Sequence, residues 1–304
     1  MTIIAITGGT GFVGGHLIEL ALEKGHRVRA LTRRPQSERA GLNWIAGDLS
    51  DHQALASLCT GADAVIHVAG VVNAASPAGF VRGNVEGTRA MLAAAELAMA
   101  RRFVHVSSLS AREPGLSQYG ASKARADELV QGSPLDWTIV RPPAVYGPGE
   151  TEMLGLYCLA KRGFGIAPGS GRFSLIYVTD LAAALLALAT SNAGVGDIFE
   201  IEDGTGGLDH RGMATRIGDA LGRKVRTVGL PVAALQLGAR LDTLRARLAR
   251  KLPVLSHDRA AYIAHPDWTA DAAPLRALGI WHPEVLPEEG IRRTADWYRA
   301  KGLL

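Results

Sequence analysis

The amino-acid sequence predicts an α/β protein in which a doubly wound parallel sheet is accompanied by a small, helix-rich C-terminal lobe. Short runs of β-branched and other apolar residues alternate with longer helical patterns through the first half of the chain, as in consecutive β-α-β units. The 304 residues are 47% hydrophobic and 20% charged, which is ordinary globular usage. This composition excludes a disordered, collagen-like or coiled-coil chain.

The alternation defines the elements of the main domain. Apolar runs predict strands at residues 2–7, 27–32, 43–46, 64–68, 103–107 and 137–141. The intervening patterns predict helices at residues 12–23, 53–58, 83–99 and 119–130. Right-handed crossovers would place these helices on both faces of a parallel sheet.

A change of composition marks the end of this domain. Residues 142–149 are too rich in Pro and Gly to continue a strand or a helix. A strand at 174–178 and a helix at 180–189, capped by Asp180, predict that the chain returns once to the main domain. We therefore assign residues 1–149 and 172–192 to the main domain, and residues 150–171 and 193–304 to the C-terminal lobe.

A glycine-rich loop follows the first predicted strand. Gly8, Gly11 and Gly14 are spaced three apart in the run TGGTGFVG, directly before the first predicted helix. Glycine lets the chain turn sharply and lets the backbone approach a pyrophosphate at the helix N-terminus. Between a strand and a helix, the triplet predicts a dinucleotide site of the Rossmann type rather than a plain turn.

The residues after the second strand favour NADP over NAD. NAD-binding units usually carry an acidic residue there, which accepts a hydrogen bond from the ribose. This chain has Arg33 and Arg34 instead, which suit the 2′-phosphate of NADP, the plain alternative being an arginine pair solvated on a loop. Asp48, after the third strand, is placed either to accept from the adenine amino group or to cap the helix that follows.

Side chains suited to proton transfer follow the fifth strand. Tyr119 and Lys123 are four residues apart at the start of a predicted helix and so share one face. A nearby ammonium lowers the pKa of a phenol from about 10, which suits it to exchange a proton with a carbonyl oxygen. Ser107 and Ser108 end the fifth strand, at the sheet edge where such folds bind ligands. An ordinary helical Tyr and Lys pair is the alternative.

Taken together, these motifs resemble the short-chain dehydrogenase/reductase superfamily. The resemblance rests on TGGTGFVG at 7–14, HVAG at 67–70, NVEGT at 84–88, VSS at 106–108, YGASK at 119–123 and RPPAVYGPG at 141–149. The run YVTDLAAAL at 177–185 also resembles the family, so the resemblance covers essentially the whole chain. The loop form and the RPxxVYGPG turn resemble the extended or atypical branch, which includes a respiratory complex I accessory subunit and bacterial lipid-linked reductases.

The resemblance implies roles for individual residues. Tyr119 would donate the proton, Lys123 would hold the nicotinamide ribose and tune Tyr119, and Ser108 would hydrogen-bond the substrate oxygen. Ser107 or Ser110 could fill the serine role instead. Cofactor contacts, besides Arg33, Arg34 and Asp48, are expected at Gly8, Thr10, Gly11, Phe12, Val13, Gly14, Leu49, Val68, Ala69, Gly70, Asn84, Tyr119, Lys123 and Pro142. Substrate contacts are expected at Ser108, Pro143, Val145 and Tyr146.

The predicted activity is reduction of a ketone to a secondary alcohol, with NADPH as the hydride source. Two alternatives stay open: a nucleotide-sugar epimerase or dehydratase with bound NAD, and a non-catalytic structural or redox-sensing subunit stabilised by its cofactor. Arg33, Arg34 and the apolar C-terminal part weigh against the first, and the Tyr119 and Lys123 pair weighs against the second. The histidines show no HExxH or HxH spacing, so we expect no metal.

One segment of the lobe, at residues 237–251, combines an apolar row with many basic residues. Leucines at spacings of four, three and four predict a stripe on one helix face, formed by Leu237, Leu241, Leu244 and Leu248. Basic residues crowd the same segment, namely Arg240, Arg245, Arg247, Arg250 and Lys251, against the single acid Asp242. The stripe either packs on the main domain or lies on an anionic membrane. In the second case a long-chain keto-lipid of the sphingolipid type is the expected substrate.

Composition also bears on the expected location and partners. The chain starts directly with a strand rather than a signal-peptide pattern, and its apolar runs are shorter than the roughly 20 residues that span a bilayer. The net charge of +4 is too small for a nucleic-acid-binding surface, and Cys59 and Cys158 cannot form a disulfide framework. We expect a cytoplasmic enzyme that acts on a small molecule or lipid, with any membrane contact at the inner face. The sequence leaves its oligomeric state open.

Overall fold

The computed structural model of the protein describes residues 2–249, 255 and 257–304. Its strands in chain order are β1 (Ile3–Thr7), β2 (Arg27–Thr32), β3 (Leu42–Ala46), β4 (Ala64–His67), β5 (Arg102–Val106), β6 (Asp136–Arg141), β7 (Ala144–Tyr146), β8 (Phe164–Pro168), β9 (Arg172–Phe173), β10 (Leu175–Tyr177), β11 (Asp197–Glu200), β12 (Leu208–Asp209), β13 (Arg226–Leu230) and β14 (Asp267–Trp268). Its helices in chain order are α1 (Phe12–Glu23), α2 (His52–Cys59), α3 (Pro77–Phe80), α4 (Gly87–Leu97), α5 (Gln118–Gln131), α6 (Leu154–Lys161), α7 (Val178–Ala189), α8 (His210–Ala220), α9 (Val232–Leu248), α10 (His257–Ala264), α11 (Ala273–Ala277) and α12 (Pro287–Ala300). A π-helical turn (Val81–Glu86) precedes α4, and a 3₁₀ turn (Leu109–Arg112) precedes α5.

The chain divides into two compact units. The first comprises the described residues up to Pro142, together with Val178–Ile201 and Ala272–His282. The second comprises Pro143–Tyr177, the described part of Glu202–Asp271, and Pro283–Leu304. The segment that returns to the first unit therefore differs from the expected 172–192. A second returning segment was not expected, and the indole N–H of Trp281 secures it by donating a 2.9 Å hydrogen bond to the Asp180 carbonyl oxygen.

The first unit is built on a seven-stranded sheet with the order β11-β6-β5-β4-β1-β2-β3. Each strand runs parallel to its neighbours. The expectation of a doubly wound parallel sheet is therefore confirmed. Strand β11 was not predicted, because its first two residues are exposed and it lacks the buried apolar run that identifies the other strands.

Helices pack on the sheet, and its parallel pairing aligns the carboxyl ends of its central strands. Helix α2 packs on α4 over a core that includes the fully buried Leu55, Leu58, Met91 and Phe103. Helix α1 packs on α7. Because β1, β4 and β5 are parallel neighbours, their carboxyl ends lie side by side. The segments that follow these three strands therefore meet at one edge of the sheet.

Two predicted helix starts differ from the structure. The helix expected at 83–99 is divided, because the π-helical turn occupies its first residues and α4 begins only at Gly87. Helix α7 begins at Val178, directly after β10, and Asp180 lies buried in its first turn. The helix therefore begins two residues before Asp180, which is not its N-cap residue.

The second unit contains more strand than the sequence indicates. Its small sheets are β7 with β10, β8 with β13, and β12-β9-β14. These strands are two to five residues long, too short to show a clear alternation. Tyr157 and Tyr298 are fully buried in the core of this unit, and the Tyr298 hydroxyl donates a 2.9 Å hydrogen bond to the carboxylate of Glu150.

Candidate active site

The loop between β1 and α1 has backbone contacts that only glycine permits. A Cβ at Gly14 would lie 2.1 Å from the carbonyl oxygen of Gly8, and a Cβ at Gly8 would lie 2.8 Å from the amide nitrogen of Ala69. Gly8 also has a φ of 74°, in the left-handed region that favours glycine. The N-cap residue of α1 is Gly11, and no described side chain accepts a hydrogen bond there. The first N–H groups of α1 are therefore available to an anion. This cradle fits the pyrophosphate of a nicotinamide dinucleotide.

A cleft of about 1180 Å³ opens beside the carboxyl ends of β2 and β3, and the exposed Arg33 and Arg34 line it. The Thr32 hydroxyl donates a 2.7 Å hydrogen bond to the Arg34 carbonyl oxygen and accepts one of 3.2 Å from the Arg34 N–H. Arg39 lines the same cleft but is ion-paired with Glu19. Arg33 and Arg34 are therefore the arginines of this cleft that are placed to bind a phosphate.

Asp48 lies in the same cleft and does not cap a helix. Its Oδ1 accepts hydrogen bonds from the Ser50 hydroxyl at 2.6 Å and from the Ser50 N–H at 2.8 Å. These bonds, with a smaller contribution from Arg33, hold the pKa of Asp48 below its usual range. Asp51 caps α2 instead, accepting from the Ala54 N–H at 3.0 Å. The capping alternative for Asp48 is therefore wrong, and its contact with adenine stays a prediction.

A buried chain of hydrogen bonds fixes the end of β4. His67 Nδ1 lies 2.7 Å from the Thr7 hydroxyl, and Nε2 lies 3.2 Å from the Thr88 hydroxyl. Because the Thr88 hydroxyl donates to the Asn84 carbonyl oxygen at 2.7 Å, its oxygen accepts from Nε2–H and leaves Nδ1 to accept from Thr7. Burial lowers the pKa of His67 to about 3. A neutral imidazole therefore ties β1 and β4 to α4, a structural role.

Asn84 positions the loop after β4. Its Oδ1 accepts from the Val71 N–H at 2.6 Å, and its Nδ2 donates to the Val71 carbonyl oxygen at 2.9 Å and to the Ser122 hydroxyl at 2.8 Å. The side chain is buried, and both amide protons are used within the protein. This geometry does not provide the direct cofactor contact expected for Asn84. It joins the loop that carries Gly70 to the π-helical turn and to α5.

Lys123 lies buried where the loop after β4 meets the end of β5. Its ammonium donates a 2.8 Å hydrogen bond to the Val106 carbonyl oxygen, and a Cβ at Gly70 would lie 3.9 Å from its Nζ. Burial lowers the pKa of Lys123 to about 8, and the nearby carboxylate of Asp127 opposes this shift. The ammonium therefore sits at the edge of the sheet formed by the carboxyl ends of β4 and β5, and its contact with the nicotinamide ribose stays a prediction.

The first turn of α5 packs on the turn that carries the candidate serines. The Ser117 hydroxyl caps α5 by accepting from the Gly120 N–H at 2.9 Å. A Cβ at Gly120 would lie 2.6 Å from the Ser110 carbonyl oxygen. Tyr119 is partly exposed, and its ring centre lies 6.3 Å from that of Phe80. The structure thus brings the segment of Tyr119 and Lys123 against the segment that follows β5.

Among the three candidate serines, Ser108 is the one with appreciable exposure. Ser107 and Ser110 are 5% and 2% exposed, whereas Ser108 is half-buried. The Ser108 hydroxyl donates to the Ser110 hydroxyl at 3.1 Å and accepts from the Ser110 N–H at 3.2 Å. This favours Ser108 for the substrate oxygen, with Ser110 orienting it.

A buried ionic group behind α5 was missed by the sequence analysis. Arg141 Nε donates a 2.9 Å hydrogen bond to Asp127 Oδ2, and His105 Nε2 lies 3.6 Å from Asp127 Oδ1. Burial raises the pKa of Asp127, opposed by the neighbouring cations, and burial holds the pKa of His105 well below its usual value. Asp127 follows Lys123 by four residues, as Lys123 follows Tyr119, so the repeated spacing was the available signal.

The other expected cofactor contacts lie around the same edge and stay predictions. Thr10, Phe12 and Val13 belong to the glycine loop and the start of α1, and Val68 and Ala69 follow β4. The Ala69 N–H donates to the Thr7 hydroxyl at 3.1 Å. Of two further expected contacts, Leu49 is partly exposed and packs against Gly87, whereas Pro142 is buried. The Pro142 carbonyl oxygen accepts from the Leu109 N–H at 2.9 Å.

The expected substrate contacts in the second unit differ in accessibility. Pro143 and Val145 are partly exposed at its start. Tyr146 is fully buried, with its ring centre 5.4 Å from that of Tyr177. A Cβ at Gly290 would lie 2.5 Å from the Tyr146 hydroxyl oxygen. Tyr146 is therefore a core residue of this unit, and its packing does not support the expected contact with substrate.

No helix among the described residues is both long enough and apolar enough to cross a membrane. No three His, Cys, Asp or Glu side chains among them lie together in a way that could hold a metal ion.

Comparison with known proteins agrees with this geometry. Residues 4–201 match the model of the NAD dependent epimerase/dehydratase family. The chain is 38% identical to a ceramide reductase of Caulobacter vibrioides (strain NA1000 / CB15N), covering 99% of this chain and 96% of the relative. It is 29% identical to a 2-alkyl-3-oxoalkanoate reductase of Stenotrophomonas maltophilia (strain K279a), covering 95% and 97% of the two chains. The solved structure of MoeE5 in complex with UDP-glucose and NAD matches with a TM-score of 0.76 at 21% identity over 99% of each chain, which shows the fold alone.

Proposed function

The chain belongs to the NAD dependent epimerase/dehydratase family, within the extended short-chain dehydrogenases/reductases, and from this premise we propose that it reduces a ketone of a long-chain lipid to a secondary alcohol with NADPH. It is an NAD(P)-dependent oxidoreductase, and nicotinamide dinucleotide is its cofactor class. The finer proposal concerns the choice of NADPH and of a ceramide-type lipid that carries a ketone on its long-chain base.

The placement of Lys123 carries the catalytic part of the proposal. Its buried ammonium is hydrogen-bonded to the Val106 carbonyl oxygen at the end of β5, and Lys123 lies one helical turn after Tyr119. Ser108 lies two residues beyond the end of the same strand. A positive charge at this point favours the phenolate and lowers the pKa of a neighbouring tyrosine hydroxyl. Tyr119 is then suited to release a proton to a substrate oxygen.

The reaction combines one cofactor step with proton delivery by the protein. Bound NADPH would supply a hydride to the carbonyl carbon. The carbonyl oxygen takes a proton as its double bond becomes single, and Tyr119 donates that proton. Ser108 holds the oxygen by turning its hydroxyl proton from Ser110 to that oxygen. The proton lost by Tyr119 is replaced from solvent, so ketone, NADPH and one proton give alcohol and NADP.

The ceramide-type substrate is supported by the relative of Caulobacter vibrioides, which matches over nearly the full length of both chains. The second reductase relative is named for a 3-oxo substrate with an alkyl branch, also a ketone on an apolar chain. The choice of NADPH is supported by the exposed arginines of the cleft beside β2 and β3.

A reduction assay tests the proposal. The purified protein is given NADPH and a ceramide with a 3-keto long-chain base in detergent micelles, and the alcohol is measured by mass spectrometry beside the loss of NADPH absorbance. We expect one alcohol for each NADPH consumed. Tyr119→Phe should lower turnover by about 100-fold or more while NADPH binding stays within about twofold.

Matched serine variants refine the same assay. Ser108→Ala should lower turnover, whereas Ser133→Ala, which removes only a hydroxyl bonded to the end of α5, should not. Tyr119→Phe working at the wild-type rate would show that the proposed proton donor is wrong. Failure to reduce any long-chain ketone, together with interconversion of nucleotide sugars by protein that retains NAD, would overturn the proposal in favour of an epimerase.

A further inference from the structure

Helix α9 turns a row of leucines away from the protein. Leu237, Leu241 and Leu244 are 58%, 60% and 58% exposed, and Leu248 is 81% exposed. At about 100° of rotation per residue, the four side chains start within an arc of about 60° on the helix surface. Exposed apolar residues are ordinary when scattered, but a contiguous row marks an interaction surface.

The opposite side of α9 holds the helix to the second unit. Leu235, Ala239 and Ala246 are buried, and the first two pack with Ala260 of α10. These positions lie about half a helical turn from the leucine row. The packing role that the sequence allowed for the leucines is therefore taken by other residues, and that alternative is wrong.

Arginines flank the leucine row on both sides. Arg240 and Arg245 are exposed and start about 70° to either side of the centre of the row. The single acid of the helix, Asp242, accepts a 2.9 Å hydrogen bond from the Leu255 N–H through its Oδ2. Its carboxylate is thus engaged in the fold. Arg247 belongs to the same helix, while Arg250 and Lys251 lie outside the described residues.

We propose that this surface docks the protein on an anionic lipid bilayer. We call it the leucine–arginine face and define it as Leu237, Arg240, Leu241, Leu244, Arg245 and Leu248. A bilayer has an apolar layer just below its charged headgroups. The leucines enter the apolar layer, while the flanking guanidinium groups stay among the headgroups. Each basic side chain adds attraction to anionic headgroups.

Charge distinguishes a bilayer from a second copy of this chain. A symmetric dimer through the leucine–arginine face would bring the arginines of one copy towards those of the other, because a two-fold interface joins the same patch of both subunits. Like charges brought together oppose association. An anionic bilayer offers both the apolar depth and the opposite charge.

A vesicle-binding experiment with the full chain tests the inference. The protein is sedimented with vesicles of one part phosphatidylglycerol to two parts phosphatidylcholine, and with vesicles of phosphatidylcholine alone, at low salt. Two flanking arginines predict at least about tenfold stronger partitioning onto the anionic vesicles. High salt should weaken that binding, because it screens the arginines.

Two pairs of variants separate the apolar and the charged contributions. Leu241→Gln with Leu244→Gln should reduce partitioning onto the vesicles about tenfold or more, because two leucine side chains no longer enter the apolar layer. Leu97→Gln with Leu286→Gln is the control, since these leucines are 86% and 62% exposed elsewhere. Arg240→Glu with Arg245→Glu should abolish the preference for anionic vesicles. Arg125→Glu with Lys301→Glu, which changes the net charge equally at exposed positions outside α9, should retain most of it.

Several outcomes would overturn the inference. One is wild-type protein that stays in solution with both kinds of vesicle at low salt. Another is equal loss of binding in the α9 variants and their controls. A third is a dimer, measured by light scattering, that the leucine variant converts to monomer while vesicles bind neither form. Thermal unfolding of each variant verifies that the exposed substitutions leave the fold intact.

The inference goes beyond the proposed function and is tested without it. The vesicle assay contains neither ketone nor cofactor, so loss of binding and loss of reductase activity are separate results. One further step rests on the proposed function: that the leucine–arginine face brings the enzyme to a lipid substrate within the bilayer. Reduction of the same ketone should then be faster in anionic vesicles than in neutral ones, and the Arg240 and Arg245 double variant should lose that difference alone.

Discussion

The ammonium of Lys123 donates a 2.8 Å hydrogen bond to the carbonyl oxygen of Val106, the last residue of β5. The bond ties α5 to the strand end from which the serine turn departs. Because the same ammonium is buried, its pKa lies near the pH of ordinary assays, at about 8. The charge at the site therefore depends on the groups packed around Lys123.

The first prediction concerns pH. Reductase activity should fall as the pH rises through about 8, because Lys123 then loses the charge that tunes Tyr119. Asp127→Asn removes a carboxylate that favours the charged lysine, so the decline should begin at a lower pH. The measurement is kcat/KM against pH, with Glu128→Gln, an exposed acid on the same helix, as the control. Identical profiles for Asp127→Asn and wild type would refute the coupling.

The second prediction concerns the glycine cradle. Gly14→Ala would place a Cβ 2.1 Å from the Gly8 carbonyl oxygen, so the loop must shift and NADPH affinity should fall by at least about tenfold. Gly15→Ala meets no atom closer than 3.9 Å and should leave affinity unchanged. The helix should gain up to about 1 kcal/mol of stability in that control. Calorimetric titration with NADPH measures both variants, and equal affinities would contradict the role of the cradle.

The third prediction concerns cofactor choice. Arg33 and Arg34 should make NADPH bind at least about tenfold more tightly than NADH, since a hydrogen bond to a charged group contributes about 1.5 to 3 kcal/mol. Arg33→Ala with Arg34→Ala should remove most of that preference. Arg39→Ala is the matched control, because this arginine lines the same cleft but is paired with Glu19. A preference that survives in the double variant, measured by protein fluorescence, would count against the NADP assignment.

The fourth prediction concerns stability in acid. Burial lowers the pKa of His67 from the usual 6.5 to about 3 in the folded protein, so on acidification the unfolded chain takes up the proton first. The folded state therefore loses stability as the pH falls from 6.5, by about 2 kcal/mol at pH 5 from this residue. In His67→Gln this part of the pH dependence should vanish, although stability at pH 7 also falls because the buried hydrogen bonds change. Urea unfolding at pH 7 and pH 5 measures the loss of stability. His282 is exposed, so the control His282→Gln should retain the wild-type pH dependence.

Strands, helices and motifs formed by residues close together along the chain could be predicted from the sequence. The central strands β1 and β4 are almost wholly buried and mostly apolar, which the sequence shows as apolar runs, and the observed β2 and α1 have the predicted bounds. The glycine triplet and the Tyr119 and Lys123 pair are likewise matters of spacing along one segment. Strand β11 and the short strands of the second unit could not be predicted, because pairing with distant strands, rather than local pattern, makes them strands.

What only the tertiary structure decided is which groups face one another. The sequence allowed three serines, and burial of Ser107 and Ser110 favours Ser108. It allowed Asn84 to meet the cofactor, and packing against Val71 and Ser122 uses its amide instead. The leucine spacing of α9 predicted a stripe but not its direction. That direction follows from the residues half a turn away, which fill the space against α10 and leave the leucines outside.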